Sequence, residues 1–145
     1  MQSGQIVQIL QVSVSPVVLI SGIGLLLLSM TNRLGRVVDR VRGLSRDLRA
    51  ANPADGRKIR RQLRMLARRA RLLRTAIMAA SISILFVALL ILALFAEFLL
   101  PISVGGLILL LFTLCIASLI VSMVVFLDDL AVSLNALWTE IADQV

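Results

Sequence analysis

The chain has 145 residues, a formal charge of +7, 59% hydrophobic residues, 4% aromatics, one Cys and no His or Tyr, with a mean hydropathy of +1.00. That apolar content excludes an ordinary soluble domain, and a lone Cys115 with no His leaves no ligand set for zinc, haem or a disulfide framework and no His-dependent nucleophile. An integral membrane protein of one domain is expected, and not an enzyme: the acidic dyad Asp128-Asp129 consists of adjacent helical residues whose side chains diverge by ~100°.

The outer N-terminal segment, 1–15, carries no charged side chain. Ser15 and Pro16 have the chemistry of an N-cap and a first helical position, so the first helix is expected to start there. Its apolar part, from Val17 to Met30, is short against the ~20 residues of a bilayer core, so a span over 16–32 takes Thr31 and Asn32 inside the membrane boundary. Nothing basic precedes this segment and no small-x-small cleavage site follows it, so it reads as a retained span rather than a signal peptide.

All fifteen basic residues lie between Arg33 and Arg74, where only Asp39, Asp47 and Asp55 oppose them. Arg clustered beside apolar spans is the positive-inside signal rather than a nucleic-acid footprint, which places 33–75 in the cytoplasm. Leu34, Val37, Val41, Leu44, Leu48 and Ala51 recur at spacings of three and four, and Leu63, Leu66, Ala70, Leu73, Ile77 and Ala80 repeat the pattern after a turn signal at 52–56. Two such helices can zip as an antiparallel coiled-coil hairpin.

The second arm runs straight into a span at 76–100. A short outer turn from Ile102 to Gly106 makes the third span, 104–127, its antiparallel neighbour. That helix is expected to continue through Asp128 and Asp129 as an inner tail, 128–145, in which Trp138 packs or sits near headgroups. Three crossings put the N-terminus outside and the C-terminus inside. The fold class is thus an all-α membrane protein with three transmembrane helices and a long cytoplasmic hairpin.

In the first span Gln8, Ser15, Gly22, Ser29 and Arg36 recur every seven residues, with Gln11, Asn32, Arg33 and Arg40 close to the same face. Hydrocarbon gives such residues no partners, so the stripe must face protein or water. As packing, small residues let helices approach; as a pore, several copies surround an axis and Val18, Leu25 or Leu26 narrows it. Three spans cannot enclose a pathway alone, so the pore reading requires a homo-oligomer, a pentamer on the reading taken here. Gln8, Gln11, Ser15, Val18, Gly22, Leu25, Ser29 and Asn32 would line it.

Glu97 near the outer end of the second span would become a ring of carboxylates able to hold a permeant cation; its bland counterpart is an interfacial acid bonded to water, Gln8 or Gln11. At the inner mouth stand Arg33, Arg36, Arg40, Asp39, Asp128 and Asp129. The default for the last two is pairing with Arg33, Arg36, Arg71 or Arg74. Unpaired Arg rings would repel cations. Cys115 reads as a buried small hydrophobe, and Ser118 with Ser122 as a small-xxx-small packing pair. No cofactor is expected beyond that cation.

The stretch from Ser15-Pro16-Val17-Val18 through Gly22-Ile23-Gly24, then Thr31-Asn32-Arg33 and Asp39-Arg40, followed by Arg68-Arg69-Ala70-Arg71-Leu72-Leu73 and two apolar spans, resembles the bacterial membrane family called domain of unknown function 2721. The resemblance covers nearly the whole chain. It implies a location in the bacterial inner membrane and transfers no binding or catalytic residue. The long first helix is also loosely similar in architecture to store-operated calcium channel subunits.

The function expected from these features is a cation-conducting homo-oligomeric channel lined by the first helix. The alternative is a scaffold whose basic hairpin binds anionic lipid or a cytoplasmic partner. Neither needs nucleic acid.

Overall fold

Long runs of Leu, Ala, Arg and Ile with Gly and Pro confined to a few positions favour helix throughout. The structure, a computed structural model, describes residues 3–99 and 105–142, with side chains described for 14–53, 55–97, 99 and 105–134. These residues form α1 (Ser3–Ala50), α2 (Pro53–Leu99) and α3 (Gly105–Ala142). Each contains a segment long and apolar enough to cross a membrane, which defines a multi-pass membrane protein.

Two boundaries differ from expectation. α1 begins at Ser3 and carries Pro16 inside it, so Ser15-Pro16 does not start the helix. Pro16 removes one amide donor, a local loss that apolar helices tolerate when neighbouring groups re-satisfy the freed carbonyl. At the other end of α1 only Ala51 and Asn52 are non-helical, a tighter connection than 52–56. Pro53 takes the first position of α2, where its missing N–H costs nothing, and the Asn52 carbonyl accepts the Gly56 N–H at 2.9 Å. The outer turn expected at 102–106 falls mostly outside the described residues, as does the Trp138 side chain. α3 does continue through Asp128 and Asp129, to Ala142.

The chain divides into two units. One comprises Met1–Leu28 with Met78–Val121. Its core is Leu90, Ala93 and Leu111, with Phe86, Leu94 and Ile108 packed against them. Ile23, Ala80, Val87 and Cys115 are buried around it. Ser83 Oγ donates to the Cys115 carbonyl at 2.9 Å and lies 3.3 Å from its Sγ, while Ser118 Oγ donates to the Ala79 carbonyl at 2.7 Å. Small side chains bring the backbones close enough for these bonds, the packing device of helices in lipid. Met78, Ile82, Leu85, Leu109 and Ile120 are exposed; in hydrocarbon such a surface meets a matching solvent.

The other unit comprises Ser29–Ile77 with Ser122–Val145. Met30, Val37 and Leu44 of α1 and Leu73 and Ala76 of α2 are buried in it. Ser122 Oγ donates to the Ala76 carbonyl at 2.8 Å and lies 4.0 Å from the Met30 sulfur. The eleven residues of the two repeating apolar rows that fall in this unit, from Leu34 to Ala51 and from Leu63 to Ile77, are buried or half-buried.

Candidate functional site

On α1 the buried positions Ile23, Met30, Val37 and Leu44 recur every seven residues, and Gly22, Ser29 and Arg36, each one residue before a buried position, sit about 100° round the helix from it. In the first unit Ser15, Val18, Gly22 and Leu25 are exposed, Val18 to 65% and Leu25 to 70%. In the second, Ser29, Asn32, Arg36 and Arg40 are exposed. A Cβ built on Gly22 meets nothing within 4 Å, so no described side chain packs against that glycine. Gln8 and Gln11 belong to α1, but their side chains lie outside those described.

Ser15 also lines the edge of an apolar crevice of about 280 Å³ in the first unit, formed with Pro16 and Leu19 of α1, Val87 and Leu90 of α2, and Phe112, Cys115 and Ile116 of α3. Glu97 is exposed close to the end of α2. Among the described residues no three His, Cys, Asp or Glu side chains gather where they could hold a metal ion.

The charges expected at the inner mouth separate into two groups. Asp39 and Asp128 are exposed, and Asp39 makes only a 3.9 Å surface pair with Arg42, a contact of little energetic weight. Asp129 is wholly buried. The Arg69 Nε–H donates to its Oδ1 at 3.2 Å, and an Arg33 Nη2 stands 3.4 Å from Oδ2 without forming a hydrogen bond. The Arg33 guanidinium also lies over the Phe126 ring, 5.5 Å from its centre, a cation–π contact.

Arg33 and Asp129 are therefore interior, not on the open face with Arg36 and Arg40. The acid takes Arg33 and Arg69 as partners; Arg36, Arg71 and Arg74 are exposed instead. Arg69 was the residue missing from the sequence expectation, although it lies between Leu66 and Leu73 on the seam side of α2. Ser118 and Ser122 pack as small residues and also bond across helices, to Ala79 and Ala76. Ser83 does the same without having been singled out.

The chain matches the model of the family described as Protein of unknown function (DUF2721) over residues 13–139, and it belongs to that family. No curated protein and no solved structure matches it.

Proposed function

We propose that this protein is a homo-oligomeric, cation-conducting channel of the bacterial inner membrane, with α1 from each copy lining a central pore. The observation that supports it is the exposure of Ser15, Gly22, Ser29 and Asn32 on α1, beside the buried repeat, with no described residue within 4 Å of a Cβ at Gly22. Small and hydroxylated groups gain nothing from hydrocarbon, so copies of the same helix around an axis give them water. Val18 and Leu25 form the narrow apolar part of the path.

The clustered Arg residues set the N-terminus outside and the C-terminus in the cytoplasm, where the basic arms of α1 and α2 zip as a coiled-coil hairpin below the pore. Glu97 from each copy rings the outer entrance and concentrates cations. Pairing with Asp129 takes Arg33 away from the inner mouth, which removes one of the three Arg rings that would repel them.

The test is thiol accessibility in reconstituted protein. Ser15→Cys and Ser29→Cys are expected to react with a water-soluble thiol reagent, against a silent background because Cys115 is buried. Failure of both to react under conditions that open the channel assigns the face to packing between copies. Native mass spectrometry in nanodiscs adds the subunit count, and a monomer or dimer removes the axial pore.

A further inference from the structure

We infer that Arg68, Arg71 and Arg74 form a docking surface for the headgroup of an anionic phospholipid in the leaflet on the basic side of the membrane. All three side chains are exposed, and no ion pair engages any of them among the described residues. The acid nearest in kind, Asp129, is already held by Arg33 and Arg69. Three guanidinium groups thus stand without a counter-charge among the described residues.

Their place along α2 selects the partner. The ion pair to Asp129 marks the level of Arg69, and Arg71 and Arg74 lie beyond it toward the apolar half of the helix. At ~1.5 Å per residue, Arg74 is about 7 Å past Arg69 and within about 5 Å of Ile77. A soluble acidic partner would meet lipid before it met that residue. Thr75, next to Arg74, is exposed as well, and the sequence of α2 from Ala76 onward is apolar.

Along α2, exposed cations are therefore followed at once by apolar sequence. That is the order of chemistry along a phospholipid, whose phosphate accepts forked guanidinium hydrogen bonds and whose acyl chain follows the apolar residues. Thr75 spends its hydroxyl on the Arg71 carbonyl at 3.0 Å, so the polar contacts to the headgroup come from the Arg side chains. The assignment stands whether or not α1 lines a pore.

The test uses the full-length protein in vesicles of phosphatidylcholine with one-fifth phosphatidylglycerol, probed with spin-labelled forms of both lipids. The wild type is expected to prefer phosphatidylglycerol severalfold, and Arg71→Gln with Arg74→Gln to cut that preference by about fivefold per Arg at most. Arg57→Gln with Arg61→Gln, farther along α2 from its apolar half, keeps it. Equal association of the two lipids with wild type overturns the inference. So does a preference that survives loss of Arg71 and Arg74, or one that falls equally in the distal pair, since that reports diffuse charge and not a site.

Discussion

Arg69 and Asp129 are separated by 60 residues of sequence and meet at 3.2 Å, the Nε–H of one donating to a carboxylate that has no exposed surface. Arg33 closes on the other oxygen, so one acid of α3 ties down α1 and α2 together. Breaking a buried pair by removing one partner costs more than the pair contributes, because the remaining charge is stranded. Asp129→Ala is expected to destabilise the protein by about 3 kcal/mol. Arg69→Gln should cost about 2 kcal/mol through the charged hydrogen bond, and Arg33→Gln less, since its contact lacks one. Thermal melts of the three variants in one detergent check the order; an Arg33 variant that melts below Asp129→Ala contradicts it.

Ser122 sits where α3 touches both other helices, 2.8 Å from the Ala76 carbonyl and against the Met30 sulfur. Interhelical hydrogen bonds of this kind contribute about 0.6 kcal/mol, whereas forcing bulk into a packed contact costs about 1–3 kcal/mol. Ser122→Ala should therefore melt close to wild type and Ser122→Leu well below it. Equal losses would mean that the hydroxyl, not the size, holds the contact.

Gly56 follows Asn-Pro-Ala-Asp and has the sequence context of a turn glycine, yet it belongs to the first turn of α2 and has no positive φ. A Cβ there would meet Leu48 Cδ1 at 3.7 Å, an ordinary contact. Gly56→Ala is expected to stabilise by about 0.4–1 kcal/mol through the unfolded chain. A lower melting temperature would show that the connection needs glycine after all.

Leu25 and Ile23 are two residues apart, one 70% exposed and the other 2%. Ile23→Ala should cost about 3 kcal/mol by opening a cavity. Leu25→Ser, on the face assigned to the pore, should leave folding and particle mass unchanged and raise single-channel conductance by wetting the constriction. A particle that falls apart on Leu25→Ser assigns that residue to contacts between copies.

The spans and the helical rows were legible because their signals are long: a bilayer demands many apolar residues in succession, and the Leu34 to Ala51 and Leu63 to Ala80 rows repeat often enough to fix a face. Pro16 misled because its soluble-protein meaning, a helix start, does not transfer to a segment in which apolar residues on both sides sustain the helix. The choice of Arg69 over Arg71 or Arg74 turned on their angular positions, about 160° and 140° round α2 from Arg69. Composition cannot see that rotation, but the positions of Leu66 and Leu73 could have given it. The polar and small residues of α1 were visible as a stripe of Ser and Gly, whereas their exposure became plain only from the burial of Ile23, Met30 and Leu44.

The buried repeat of α1 also constrains how this chain can change length. Inserting one residue between Ile23 and Arg33 turns everything downstream by about 100°. Leu44 would swing out of its seat, and Arg33 would no longer point at Asp129. Seven residues added together return nearly to the starting angle, offset by only ~20°. Natural relatives with a longer or shorter first helix should therefore differ in this interval by whole heptads, with a matching change in the facing arm of α2.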